Sequence, residues 1–173
     1  MKNINLLILA LFGMFVFQGC EGPQGPRGAD GEPGVNIVSE VFEVEVDFTA
    51  DNDYMDTRFF EPPIIESDVV LAFVMWEADG ATPIWRAMPQ TTYFQGGAIL
   101  VYNYDFTSSD FRLFLDGDVD FASLDASYTE NQLFRIVVVP GDFASANARI
   151  DLTDYNAVTQ LLGLTDEDFK RIE

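Results

Sequence analysis

The chain has 173 residues, of which 29 are acidic and nine are Lys or Arg, so its formal net charge is −20 at pH 7. A surface this acidic repels phosphate backbones, which argues against nucleic-acid binding. The chain has no histidine and a single cysteine, and these counts exclude Ser-His catalysis, Cys-His catalysis and an intrachain disulfide.

Residues 1–19 have the composition of a signal peptide. Lys2 precedes an apolar run over residues 6–17, which is the order of a charged n-region and an h-region. The run is shorter than the ~20 residues that a membrane-spanning helix needs. Gly19-Cys20 follows, and this pattern resembles a bacterial lipoprotein signal, with Phe17 where that signal usually has leucine. The resemblance implies cleavage before Cys20 and its modification by acyl chains such as palmitate; an uncleaved anchor and ordinary secretion are the alternatives.

Glycine then recurs at every third position, at Gly22, Gly25, Gly28, Gly31 and Gly34. The segment resembles collagen, in which only glycine fits at the crowded axis of three wound chains. A homotrimer through this segment is therefore one hypothesis. The other is a single-chain spacer, because proline-rich chains extend by ~3.1 Å per residue without partners. Five triplets are few for a triple helix, so we favour the spacer.

The rest of the chain predicts a mainly β fold, an antiparallel β-sandwich of the immunoglobulin-like or a related type. Residues 40–48 alternate between apolar and acidic side chains, as a half-buried strand does. Residues 69–76 and 133–139 are almost continuously apolar, which indicates strands buried on both faces at the centre of a sheet. Residues 57–60 predict a short strand that ends before Pro62-Pro63.

Turn signals divide the middle of the chain into hairpins. The turn at residues 78–81 leads into residues 83–88, and Gly96-Gly97 joins residues 91–95 to residues 98–106. A four-residue loop then leads into residues 111–116. That loop length places large apolar side chains opposite each other. The predicted pairs are Phe106 with Phe111, Tyr104 with Leu113, and Tyr102 with Leu115.

Residues 144–173 change to a helical period. Tyr155, Val158, Leu161 and Leu162 form one stripe, with Gly163 as a C-cap. Residues 165–168 resemble a capping box that opens a last short helix with Phe169 and Ile172 inward. The predicted organisation is a signal peptide (1–19), a lipidated cysteine and spacer (20–36), the sandwich (37–143) and a C-terminal helical segment packed on it (144–173).

Asp116, Asp118 and Asp120 alternate along one loop, and such oxygen-rich loops can hold calcium. The spacing is not that of an EF-hand, because Phe121 and Ser127 stand where that motif needs Gly and Glu. Residues 51–56 form a second acidic loop. Solvated turn carboxylates are the favoured interpretation of both loops, and no other cofactor is indicated.

Trp76 and Trp85 flank the turn at residues 78–81, and a two-residue loop there puts them on the same face of the hairpin. If both are exposed, they form a stacking platform for glycans. If both are buried, they belong to the core, which apolar Val74 and Ala87 on the predicted face favour.

The order of lipoprotein signal, glycine triplets and one β-rich domain resembles predicted collagen-like lipoproteins of Bacteroidota. The segments VFEVEVDFT (41–49) and LFRIVVVP (133–140) also resemble that family. The resemblance implies a lipid-anchored protein of the cell envelope, in the outer membrane, periplasmic or surface-exposed. It implies no catalytic residues. We therefore expect a structural or interaction role with an unknown protein or glycan partner, and no enzyme activity.

Overall fold

The computed structural model describes residues 40–79, 82–147 and 149–172. Cys20, the five spaced glycines and the predicted signal peptide lie outside these ranges. The described residues contain nine strands and two α-helices. The strands are β1 (Val41–Val46), β2 (Met55–Phe59), β3 (Val69–Asp79), β4 (Thr82–Ala87), β5 (Gln90–Tyr93), β6 (Ile99–Phe106), β7 (Asp110–Gly117), β8 (Gln132–Val139) and β9 (Lys170–Ile172). The helices are α1 (Gly141–Ala146) and α2 (Tyr155–Leu162).

The strands form two sheets. One has five strands in the order β4-β3-β8-β1-β9, and the other has four in the order β2-β7-β6-β5. Neighbouring strands are antiparallel except β1 and β9, which are parallel. The predicted β-sandwich is confirmed. The two apolar segments, β3 and β8, lie inside the larger sheet as expected, and they are neighbours there.

The inner faces of the two sheets enclose the main core, here called the inter-sheet core. The side chains at alternate positions of each strand enter it, as the period of two requires. Its buried members are Val44, Val46, Phe48, Phe60, Val70, Ala72, Val74, Met88, Leu100, Tyr102, Phe111, Leu113, Leu115, Phe134, Ile136 and Val138. Phe134 is fully buried, and its ring meets Phe48 edge-on at a centroid distance of 5.9 Å.

The β6–β7 hairpin has the predicted register. Phe106 lies opposite Phe111, Tyr104 opposite Leu113, and Tyr102 opposite Leu115. The Tyr102 hydroxyl donates a hydrogen bond of 2.7 Å to the carbonyl oxygen of Tyr128, which satisfies the polar end of a buried ring. The turn length and the apolar pattern were therefore enough to fix this pairing.

A second group of apolar residues, here called the outer cluster, covers the opposite face of the five-stranded sheet. Val41, Phe73, Val137 and Val139 of the sheet are buried there with Val158 of α2. α2 begins at its N-cap Asp154, whose carboxylate accepts hydrogen bonds from the backbone of Asn156 and Ala157, and it ends at Gly163 with a φ of 66°. The outer cluster explains why β3 and β8 are apolar on both faces.

The prediction of a last helix was wrong. The capping box is present, with Thr165 and Asp168 bonded to each other, but it opens only a 3₁₀ turn over Asp166–Asp168. The chain then extends as β9 and pairs with β1 along an edge that would otherwise be free. Phe169 consequently packs in the outer cluster and Ile172 against the inter-sheet core, whereas one helix would have put both on the same side. The C-terminal segment is thus part of the sheet as well as its cover.

We expect Phe134→Ala to lower the free energy of unfolding by about 3–5 kcal/mol, because it leaves a cavity between the two sheets. The matched control is Phe59→Ala, since Phe59 is 67% exposed and its truncation should change stability by less than about 0.5 kcal/mol. Urea unfolding curves of both variants measure the difference. Equal losses would contradict the placement of the core.

Candidate functional site

Arg135 interrupts the apolar sequence of β8 on the outer face of the five-stranded sheet. It lies opposite Glu43 in β1 and opposite Phe73 in β3. Only 5% of its surface is exposed, so it is buried like the apolar residues that flank it in β8. A charge buried this far needs partners, because desolvation otherwise costs several kcal/mol.

Three polar groups surround the guanidinium group of Arg135. Nε and Nη2 each donate a hydrogen bond of 3.1 Å to Oε2 of Glu43. Nη1 donates to Oδ1 of Asp166 at 2.6 Å and to the hydroxyl of Tyr155. One side chain of β8 is therefore bonded to β1, to α2 and to the 3₁₀ turn that precedes β9.

Aromatic rings complete the surroundings of Arg135. Its guanidinium carbon lies 4.2 Å from the ring centroid of Phe169, 4.4 Å from that of Trp85 and 5.8 Å from that of Tyr155. Trp85 and Tyr155 also contact each other, with their centroids 5.6 Å apart. Cation–π contacts of a desolvated guanidinium contribute about 2 kcal/mol, so the rings offset part of the cost of burying the charge.

These contacts determine the protonation of the cluster. Burial by itself lowers the pKa of Arg135, but hydrogen bonds to Asp166, Tyr155 and Glu43 outweigh it and leave this pKa raised. Burial raises the pKa of Tyr155, and its bond to Arg135 opposes that effect only in part. At neutral pH the cluster therefore holds a cationic guanidinium on Arg135 and a neutral phenol on Tyr155.

A groove lies beside this cluster, between β4 and the start of α2. Its larger cavity has a volume of about 580 Å³ and is lined by residues 82–87 and Gln90 on one side and by residues 153–156 on the other. A second cavity of about 390 Å³ adjoins it and extends toward residues 164–166. Trp85 and Tyr155 line both cavities. This edge groove falls in the volume range of ligand sites.

The prediction that Trp76 and Trp85 share one face of the hairpin was wrong. A β-bulge inserts Trp76 between Met75, which pairs with Trp85, and Glu77, which pairs with Ile84. A bulge puts two residues opposite one and re-aims the side chains that follow. Nothing in the spacing of the two tryptophans signalled this extra residue.

Trp76 accordingly packs against the inter-sheet core and Trp85 in the outer cluster, and Val74 and Ala87 are separated in the same way. Each indole has a guanidinium over its ring at 4.4 Å, from Arg86 in one case and from Arg135 in the other. The two rings do not form one platform, so a glycan would have to bind either tryptophan alone.

The three alternating aspartates do not converge. Asp118 accepts a hydrogen bond of 2.7 Å from the backbone of Ile99, while Asp116 and Asp120 accept bonds from Gly117 and Ala122. Across residues 40–79, 82–147 and 149–172, no three Asp, Glu, Cys or His side chains are close enough together to hold a metal ion. Calcium binding at either acidic loop stays the less favoured, untested hypothesis, and solvated turn carboxylates stay the favoured one.

Comparison of the chain with models of protein families, with curated proteins and with solved structures finds no match. None of the helices in the described ranges is long and apolar enough to cross a membrane. The candidate site is therefore defined by geometry alone. It consists of Arg135 enclosed by its polar partners and aromatic rings, here called the caged arginine, and of the edge groove beside it. The sequence analysis missed both. The one available signal was a lone arginine in the run LFRIVVV.

We expect Arg135→Met to lower the free energy of unfolding by about 3 kcal/mol, because it leaves Glu43 half-buried without its cation. The control is Arg112→Met, which removes a cation whose partner, Asp105, is also largely exposed, and it should have little effect. Chemical denaturation measures both. If the two variants are equally stable, Arg135 does not hold the C-terminal segment.

We expect millimolar Ca²⁺ to leave the melting temperature of the protein unchanged relative to EDTA, because Asp116, Asp118 and Asp120 bond separate backbone groups. Differential scanning calorimetry under both conditions measures this, with Mg²⁺ as a control for ionic strength. A rise specific to Ca²⁺ would show that an acidic loop binds the ion.

Proposed function

We propose that the protein is a membrane-anchored lipoprotein of the cell envelope that presents an acidic β-sandwich for interaction with another molecule. The observation that carries the proposal is Cys20, the single cysteine of the chain, directly after a charged and then apolar leader. An acylated cysteine at this point anchors the mature chain at its first residue. The outer membrane is the proposed location.

The segment between Cys20 and the first strand supports a role as a tether. It has glycine at every third position and prolines that favour an extended chain. The tether leads to β1, which is hydrogen-bonded to β8 on one side and to β9 on the other. A strand bonded on both sides is a firm attachment for a tethered domain. We propose a single-chain spacer, with trimerisation as the alternative.

The charge of the domain supports an interaction role. The described ranges contain seven Lys or Arg residues and 25 Asp or Glu residues. Four of the seven cations form ion pairs within the domain: Arg58, Arg112, Arg135 and Arg171. The outward field is therefore strongly anionic, which keeps the domain soluble and attracts cationic partners. We propose no catalytic activity, because the chain has no histidine and the guanidinium of Arg135 is already bonded to Glu43, Tyr155 and Asp166.

The test is Cys20→Ser, which removes the acyl attachment atom. We expect the wild type to incorporate labelled palmitate and to sediment with membranes, and the variant to do neither, because a stable anchor needs acyl chains. Gln24→Ala, four residues away, should behave like the wild type. A Cys20→Ser protein that stays in the membrane fraction would show that the leader is an uncleaved anchor.

A further inference from the structure

β4 is an edge strand of the five-stranded sheet, and its pairing with β3 shows which backbone groups are free. The N–H of Met88 donates to the carbonyl of Ala72 at 2.9 Å, and Val74 lies opposite Arg86. Because successive residues of a strand direct their backbone groups to opposite sides, Arg86 faces β3. The N–H and C=O groups of Trp85 and Ala87 therefore point away from the sheet. Among the described residues no strand pairs with that side of β4.

β4 forms one wall of the edge groove. The larger cavity follows every residue of β4, and residues 153–156 at the start of α2 form its other wall. An extended chain placed there would meet two N–H donors in sequence, with a helix along its far side. This is the arrangement in which a peptide adds a strand to a sheet. The ring of Trp85, by contrast, already contacts Arg135 and Tyr155, so stacking of a sugar on it is less favourable.

Charge favours a basic peptide. Asp154 lines the larger cavity and Asp166 the smaller one. Oδ1 of Asp166 pairs with Arg135, but 78% of the Asp166 side chain is exposed. Arg86 is the one cation along β4, and its guanidinium lies over Trp76 on the opposite face of the sheet. The domain around the groove is also anionic, so a cationic segment gains and an acidic one is repelled.

We propose that the edge groove binds an extended, basic peptide segment of a partner protein, which pairs with β4 as an additional strand. The inference rests on the interaction role proposed above and names the partner class. The backbone of Trp85 and Ala87 supplies the hydrogen bonds, and the acidic surroundings select the charge.

The first experiment uses the full-length protein in detergent micelles and a displayed library of random peptides about ten residues long, enough to pair with a strand of six. We expect the selected peptides to be rich in Lys, Arg and β-branched residues. Ala87→Pro should weaken their binding about tenfold or more, because it removes an outward N–H and blocks the edge. The matched control is Ala126→Pro, at the first position of an exposed 3₁₀ turn, and it should bind like the wild type.

The second experiment needs no variant, so it holds even if Ala87→Pro does not fold. Amide hydrogen exchange of the wild type is measured with and without a selected peptide. We expect the amides of Trp85 and Ala87 to become protected at least about tenfold. The amide of Met88, which already donates to Ala72, should not change.

Several outcomes would overturn the proposal. They are that no peptide is enriched, that acidic or neutral peptides are enriched, and that the two amides stay unprotected. Self-association that Ala87→Pro abolishes would assign the groove to a second copy of the chain. Binding of a neutral glycan, when no peptide is enriched, would assign it to sugars. Membrane sedimentation of Ala87→Pro is unaffected in every case, so these failures are distinct from a failure of the lipid anchor.

Discussion

Apart from Gln132 and Arg135, strand β8 is apolar on both faces, and each face needs a cover that excludes water. The four-stranded sheet covers one face, where Phe134 and Ile136 are fully buried. The C-terminal segment covers the other, where Val137 and Val139 are buried in one cluster with Val158 of α2. Burying such side chains stabilises the fold by roughly 1.5–3 kcal/mol each. The sandwich and its C-terminal cover therefore depend on one central strand.

Besides the pairing of β9 with β1, a cluster of polar side chains attaches the cover to the sheet. Arg135 is bonded to Glu43 within the sheet and to Tyr155 and Asp166 in the covering segment. Apolar packing is non-directional, so it holds α2 on the sheet without fixing its position along the strands. A planar guanidinium with several directed donors fixes that position. The same contacts place the start of α2 across from β4, and the edge groove follows from that placement.

Local sequence patterns were enough to predict the elements that depend only on neighbouring residues. The alternation in β1, the β6–β7 register and the stripe of α2 all follow from side-chain period and turn length. Three features were missed or misassigned, and two of them depend on distant parts of the chain. Lys170–Ile172 became a strand because the edge of β1, far away in sequence, was free. A local β-bulge changed the direction of the Trp76 side chain. The cluster around Arg135 joins this residue to partners up to 92 positions away in sequence.

The four edge strands of the sandwich differ in how readily a further strand could pair with them. β2 directs Asp56 and Arg58 toward the inner side, where they pair at 2.7 Å, and inward charges discourage a further strand. β9 has three residues and β5 has four, so both offer short edges. β4 has six residues, and Pro83 is the feature along it that limits pairing, since proline has no N–H to donate. The outward donors of Trp85 and Ala87 lie beyond that proline, next to a groove walled by a helix. Of the four edges, β4 is therefore the one that has both free donors and room for a second chain.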